Sequence, residues 1–173
     1  MANLKEIRIR IGSVSSTMQI TSAMKMVSAA KLKKAQDAIT AMRPYSNKLS
    51  ELMQSFSGAS AGGNKSYTEN RTLNKVLVVV ISSNRGLCGA FNANIAKEAL
   101  VFKSKEKFSD SQIDFLTIGK KINDTLSKTE TIIQNDSDVF EELNYENVGK
   151  IADELMDRFV SNDYDHIEII YNN

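Results

Sequence analysis

The residues of this sequence that could carry out chemistry are concentrated in one turn, Ser82–Asn92 (SSNRGLCGAFN). A glycine-bearing turn between a strand and a helix can cradle phosphate, because free amides at a helix N-terminus bind anions. A Walker A loop, however, needs four residues between its glycines and then Lys and Ser or Thr. Here two residues separate Gly86 from Gly89 and no lysine follows. The dinucleotide fingerprint is absent too, so the sequence favours tight turning over phosphate binding.

The single cysteine, Cys88, and the single histidine, His166, are the other candidates for covalent chemistry. Arg85 and the start of a helix beside Cys88 would favour the thiolate. A nucleophile also needs a base, and His166 lies in a predicted strand far along the chain. We interpret Cys88 as a small buried residue and His166 as a strand residue. The acids of 136–142 lack metal-ligand spacing, so we predict no catalytic, cofactor-binding or metal-binding residue.

The net charge of +1 hides an asymmetry along the chain. Residues 1–57 carry nine Lys or Arg and three Asp or Glu, which gives +6, whereas the remainder carries 13 bases and 18 acids, or −5. A basic first third joined to an acidic remainder indicates two modules that meet different partners. No apolar run approaches the roughly 20 residues that span a bilayer, and the N-terminus has no secretory signal pattern.

The basic first third has the pattern of one long helix, roughly 80 Å if continuous. Asn3 and Glu6 suit its first turn, and Pro44 is the strong breaker, where we expect a kink or a new start. A three-four alternation is typical of a helix that presents a narrow seam to another helix. The seam positions are Leu4, Ile7, Ile11, Val14, Met18, Thr21, Lys25, Ser28, Leu32, Ala35, Ile39, Met42, Ser46, Leu49, Met53 and Phe56.

The centre of this seam is polar, because Thr21, Lys25 and Ser28 replace aliphatic residues. Two interpretations stay open. The polar residues fix the register of a coiled coil, as buried polar residues often do. Alternatively, the outer surface here, with Met24 and Met26, also contacts a partner, because methionine adapts to irregular contacts. In either case the helix needs a mate, and the chain has no second helix of matching length.

The remainder of the chain predicts an open α/β layer. Residues 58–75 are rich in Gly, Ser and Asn and are predicted to be a linker. Alternating strands and helices predict a parallel sheet with right-handed crossovers. The predicted strands are 76–81, 113–118, 131–134 and 166–171, and the predicted helices are 92–107, 119–126 and 145–160. The predicted fold class is α/β: a long N-terminal coiled-coil helix, 1–57, and an open, mainly parallel Rossmann-like domain, 76–173.

The chain stops directly after its last predicted strand, at Asn172–Asn173. An uncovered edge strand is a liability, since its free backbone groups can pair with other chains. The long helix lacks its mate as well. We therefore expect both the coiled coil and the sheet to be incomplete, and the sequence to be an N-terminal part of a longer protein.

Two long stretches closely resemble the γ subunit of F-type ATP synthases: 20–32 (ITSAMKMVSAAKL) and 84–92 (NRGLCGAFN). Segments 5–8 (KEIR), 33–36 (KKAQ) and 43–45 (RPY) match in order and spacing as well. The resemblance extends over the whole chain. The C-terminal helix of the family is absent from this sequence.

The resemblance implies a rotor subunit without catalytic residues, cofactor or metal. The N-terminal helix would wind against a C-terminal helix inside a ring of three α and three β subunits, and the α/β domain would contact the ε subunit and the c-ring. Rotation would couple proton translocation to ATP synthesis on the β subunits, at the cytoplasmic face of a bacterial inner membrane. The implied partner-contact residues are Arg10, Met24, Lys25, Lys31, Lys33, Lys34, Arg85 and Lys97.

Two other classes of function were weighed against this one. A basic helix on an α/β domain could bind nucleic acid, but such proteins usually interleave aromatics or flexible glycine with their basic residues, and this helix has no aromatic before Tyr45. A small α/β enzyme could use the glycine turn, and would then bind a nucleotide saturably. The missing motif lysine argues against that reading.

Overall fold

The computed structural model of the chain describes residues 3–59, 67 and 71–172, and only the backbone of residues 56–59. The chain forms two compact units, Met1–Gly63 and Asn64–Asn173, and each is described by itself. Most of the predicted linker, 58–75, falls outside the described residues, so its extent stays a prediction.

The first unit is one helix, α1, from Leu4 to Ala59. Asn3 caps it as predicted: its Oδ1 accepts a hydrogen bond from the Lys5 amide at 3.2 Å, and its carbonyl accepts one from the Ile7 amide at 3.1 Å. The helix runs through Pro44, so no new helix starts there. Proline removes one amide donor, and the turns on either side supply the remaining backbone bonds.

The described side chains of α1, residues 4–55, are all exposed. This includes the aliphatic and Met seam positions in that range, while the Phe56 side chain lies outside the described residues. In the polar centre, the Thr17 hydroxyl donates to the Ser13 carbonyl at 2.9 Å, and the Thr21 hydroxyl donates to the Thr17 carbonyl at 2.8 Å. These hydroxyls are satisfied within the helix, so they need no partner to complete their hydrogen bonds.

The second unit alternates strands and helices as predicted. Two short 3-10 turns, Glu106–Phe108 and Ser137–Phe140, interrupt the pattern. The sheet has the order β3-β2-β1-β4, and every neighbouring pair is parallel, which confirms the Rossmann-like architecture. Its elements are β1 (Lys75–Ile81), α2 (Phe91–Lys103), β2 (Gln112–Ile118), α3 (Lys120–Leu126), β3 (Ile132–Asn135), α4 (Tyr145–Val160) and β4 (His166–Ile170).

The largest difference in boundaries concerns the predicted helix 92–107. It ends at Lys103, where the Ser104 amide bonds back to the Leu100 and Val101 carbonyls, and a 3-10 turn follows. Bifurcated bonds of this kind are common at helix ends. The turn places Phe108 against Phe102 with ring centroids 4.5 Å apart, so residues predicted as a last helical turn instead close the core.

The core lies on both faces of β1, which explains the continuous β-branched run in its sequence. Val76, Val78 and Val80 pack on one face with buried residues of α2 and α3. Leu77 and Val79 pack on the other face, where α4 contributes partly buried side chains. Two helices therefore cover one face of the sheet, and within the described chain a single α-helix covers the other.

A polar network fastens α4 to the sheet. Arg158 donates from Nη2 to Glu154 Oε1 at 2.7 Å and to Gln134 Oε1 at 2.9 Å, while Gln134 Nε2 donates to Glu154 Oε2 at 2.9 Å. The Gln134 and Arg158 bonds lower the pKa of Glu154. Nearby, the Tyr164 hydroxyl donates to Asp114 Oδ2 at 3.1 Å, and burial, with the Asp114 charge, raises the pKa of Tyr164 to about 12.

Candidate functional site

The turn between β1 and α2 is held in shape by Asn92, in the first turn of α2. Asn92 Oδ1 accepts a hydrogen bond from the Ser83 amide at 3.1 Å, and its Nδ2 donates to the Arg85 carbonyl at 3.3 Å. One side chain thus bridges two points of the turn. The turn is therefore a built element rather than a loose connection.

Asn84 ties the same turn to α3 and to the 3-10 turn Ser137–Phe140. Its Nδ2 donates to the Ser137 carbonyl at 3.0 Å, and its Oδ1 accepts from the Lys120 amide at 2.9 Å. Lys120 is the first residue of α3, where an unpaired amide could otherwise face an anion. Within the protein, Asn84 therefore satisfies this amide donor at the start of α3.

Gly119 lets the end of β2 approach the end of β1 closely. Its φ is +122°, and a Cβ there would lie 2.5 Å from the Ser82 carbonyl oxygen. Only glycine adopts this conformation freely. The close approach places Ser82 Oγ where it accepts a hydrogen bond from the Ile122 amide at 3.1 Å.

Leu87, at the tip of the turn, is fully exposed and has a φ of +60°. A branched apolar residue in the left-handed region is strained by about 1–3 kcal/mol and persists only where its surroundings fix the backbone. Here Asn92 fixes the neighbouring Arg85, which is also exposed. The tip therefore presents one apolar and one cationic side chain outward, an arrangement suited to contact with another protein.

Cys88 is exposed, so the prediction that it is a small buried residue is wrong. Its sulfur accepts a hydrogen bond from Asn92 Nδ2 at 3.2 Å, and the partly buried Asn92, rather than the cysteine, bridges the turn. His166 is a partly buried strand residue, as predicted. Its ring stacks on Phe108 with centroids 5.8 Å apart, and its Nε2 lies 3.0 Å from Glu168 Oε2.

The eight predicted partner-contact residues are all exposed, but the structure brings them together only as two groups. Six lie along α1, and two, Arg85 and Lys97, belong to the α/β unit. Among the described residues none of the seven basic ones forms an ion pair, so their charges are available to a partner. The six on the helix are Arg10, Met24, Lys25, Lys31, Lys33 and Lys34.

The described residues contain no group of three or more His, Cys, Asp or Glu side chains that could hold a metal ion. A search of the same residues for a helix long and apolar enough to cross a membrane finds none. The sequence gives no sign of Leu87, because its exposure follows from a positive φ that Leu residues rarely adopt. Asn92 was missed as well, since nothing in the sequence marks it as the residue that bridges the turn.

The described chain thus combines a long, exposed, basic helix with an α/β unit whose glycine turn is held by hydrogen bonds from Asn84 and Asn92. A family model described as ATP synthase matches residues 3–173, so the chain belongs to the ATP synthase family. It is 62% identical to the ATP synthase gamma chain of Flavobacterium psychrophilum, 58% identical to that of Flavobacterium johnsoniae and 41% identical to that of a Geobacter species, strain M21. Each match covers 99% of this chain and 60% of the relative, so the chain spans about three fifths of their length.

Proposed function

We propose that this chain supplies the N-terminal part of the rotor of an F-type ATP synthase. In this role α1 forms one of the two helices of the shaft, and the α/β unit forms the foot of the shaft. The observation that carries the proposal is α1 itself, a 56-residue helix whose described side chains are all exposed, with an apolar seam and a basic surface. The named gamma-chain relatives support the same role.

The seam requires a partner helix of comparable length. Burying one aliphatic or Met side chain contributes about 1.5–3 kcal/mol, and the seam holds many such positions. The other α-helices of the described chain have 13, 7 and 16 residues, far short of α1. A second long helix supplied by the remainder of a gamma chain satisfies this requirement, in an antiparallel coiled coil.

The basic surface of α1 then faces a ring of three α and three β subunits. Its excess of six positive charges suits acidic surfaces on the ring, where Arg10, Lys25, Lys31, Lys33 and Lys34 make contacts and Met24 adapts to changing neighbours. Rotation of an asymmetric shaft alters the nucleotide affinity of the β subunits in turn. Catalysis belongs to the β subunits, so the chain is a non-catalytic subunit that couples proton translocation to ATP synthesis.

The α/β unit acts as the foot. Arg85 and Lys97 flank or follow the glycine turn and contact the β subunits, with Leu87 as the apolar part of the same tip. The ε subunit and the c-ring bind elsewhere on the foot. The assembled protein lies peripherally on the cytoplasmic face of a bacterial inner membrane and binds no nucleic acid.

Coexpression with α and β subunits tests this proposal, with and without a polypeptide that supplies the C-terminal two fifths of a gamma-chain relative, the 40% that this chain does not cover. We expect a complex with ATPase activity only when the C-terminal polypeptide is present. A matched pair of double variants sharpens the test. Ile11→Asp with Val14→Asp changes the seam and should abolish assembly, whereas Ser16→Asp with Gln19→Asp adds the same charge off the seam and should preserve it. Equal assembly of the two variants would overturn the shaft role.

A further inference from the structure

The second face of the sheet is only partly covered, because α4 lies over it alone among the described α-helices. A groove of about 310 Å³ remains between α4 and the carboxyl ends of β1, β2 and β4. Every side chain that lines it is apolar. The lining residues include Ile81, Ile118, Phe140, Leu143, Val148 and Ile169.

Several of these lining residues are more exposed than core residues of their size. Leu143 is 67% exposed and Ile169 is 51% exposed, although both belong to one continuous apolar surface. Scattered exposed leucines are ordinary, but a contiguous concave apolar patch marks an interaction site. Groove and patch together are suited to a protein segment that inserts apolar side chains.

The segment 136–146 carries the lining residues Val139, Phe140 and Leu143 and is acidic; it is called the rim of the groove below. Residues 136–146 include five acids and no Lys or Arg. Among the residues that the structure describes, two lysines form ion pairs with them: Lys120 Nζ lies 3.8 Å from Asp138 and 3.9 Å from Glu141, and Lys150 Nζ lies 3.1 Å from Glu146. Five acids and two lysines leave a net charge of −3 around an apolar centre, which favours a cationic ligand and disfavours an anionic one.

We propose that this groove docks a segment of a partner protein in which apolar side chains are flanked by lysine or arginine. The apolar side chains fill the space between α4 and the strand ends, and the flanking cations face Asp138, Glu141 and Glu142. Affinity comes mainly from the apolar contact, and selection against acidic segments comes from the rim. The proposal goes beyond the contacts assigned to the rotor, because this groove is lined by none of the eight predicted contact residues.

Binding of two labelled model peptides to the full chain tests this proposal by fluorescence anisotropy. One is an amphipathic peptide of leucine and lysine, and the other has the same leucines with glutamate in place of lysine. We expect saturable binding of the lysine peptide and at least tenfold weaker binding of the glutamate peptide. Comparable binding of the two peptides, or no binding of the lysine peptide, would overturn the proposal.

Variants locate the binding on this face. Leu143→Ser removes an exposed apolar side chain that lines the groove. It should weaken binding of the lysine peptide about fivefold to tenfold. The double variant Glu141→Lys with Glu142→Lys should weaken binding of the lysine peptide about tenfold. The matched control is Glu98→Lys with Asp124→Lys, which makes the same charge change at exposed positions of α2 and α3 on the opposite face. If the control weakens binding as much as the rim variant, the peptide binds through general charge and the groove is not its site.

Discussion

The two units of this chain use apolar side chains in opposite ways. In the α/β unit they are closed into a core on both faces of β1, where Val76–Val80 are almost fully buried. In α1 a comparable number stand exposed along one seam. Burial stabilises the first set in the isolated chain, whereas the second set contributes only when another helix covers it. Stability and partner binding are therefore encoded in separate segments, and equivalent substitutions should have unequal effects.

The largest difference in stability is expected when one leucine is truncated in the α/β unit and, in a second variant, one leucine is truncated in α1. Leu116→Ala in β2 should lower the free energy of unfolding of the α/β unit by about 2–5 kcal/mol, because it leaves a cavity in a buried layer. Leu32→Ala in the α1 seam should change it by less than about 0.5 kcal/mol, because the side chain is exposed. Urea unfolding followed by the near-ultraviolet signal of the α/β unit measures both. If Leu32→Ala lowered the free energy of unfolding by more than about 1 kcal/mol, the proposed difference between the two units would be wrong.

Within the α/β unit, two glycine-to-alanine substitutions compare a backbone position that its neighbours constrain with one that they do not. Gly119→Ala should destabilise the α/β unit by about 2 kcal/mol, because it combines a positive φ with a 2.5 Å contact to Ser82. The measurement is the urea midpoint, together with the unfolding slope to confirm an unchanged native state. A shift no larger than that of Gly149→Ala, where a Cβ meets nothing within 4 Å, would contradict this reading.

A smaller effect, about 1 kcal/mol, is expected from Arg158→Met, which breaks the network between α4 and the sheet. The lowered pKa of Glu154 determines how the stability contributed by this network depends on pH. A carboxylate with a lowered folded pKa contributes stability that is present above its unfolded value, 4.5, and is lost as the pH falls through the folded value. The difference between the two proteins should therefore shrink below pH 4.5.

The matched control for this network is Lys150→Met, which removes the exposed pair with Glu146. Exposed pairs of this spacing contribute about 0.3–0.5 kcal/mol, so the control should cost less than the Arg158 variant and show little pH dependence. Thermal unfolding at several pH values from about 3.5 to about 7 measures the cost of both substitutions. This range extends about one unit or more on either side of the ordinary glutamate pKa. Equal costs would mean that the network does not fasten α4.

The smallest expected effect is a gain. Gly12 lies in the interior of α1, and a Cβ there would meet nothing within 4 Å. Gly12→Ala should stabilise the helix by about 0.5–1 kcal/mol, because glycine loses more backbone entropy than alanine on entering a helix. Amide hydrogen exchange around residue 12 should slow by a few-fold, while exchange in β1 stays unchanged. Slower exchange in β1 would contradict the separation of the two units.

Most of the fold follows from sequence periodicity, and the bounds of α4, 145–160, are predicted to the residue. Its Asn144 cap and strong amphipathic pattern specify it locally. The end of α2 and the burial of Cys88 are predicted wrongly, because both depend on particular side-chain contacts that sequence periodicity does not report. The 3-10 turn at Glu106–Phe108 is set by aromatic packing in the core, and the outward position of Cys88 is set by Asn92.

For the candidate site, the sequence identifies the residues that belong to long matching motifs. It misses the residues whose role depends on three-dimensional geometry. The exposed basic residues of α1 follow from charge counting and resemblance. Leu87 becomes visible as a contact residue only when its positive φ is known, and Asn84 only when its two bonds across the sheet ends are seen. Periodicity reports burial along one element, whereas these features join three elements at once.

The pairing of β1 with β4 has a consequence for the order of events during synthesis. Val76 pairs with His166 and Val80 with Ile170, so one edge of the central strand stays open until about 90 further residues have left the ribosome. At about 5–20 residues per second this interval lasts roughly 5–20 s. During it, an apolar β-branched strand offers free backbone groups to any passing chain. The growing polypeptide is therefore most exposed to aggregation, and most dependent on chaperones, in the seconds after α2 has emerged and before β4 closes the sheet.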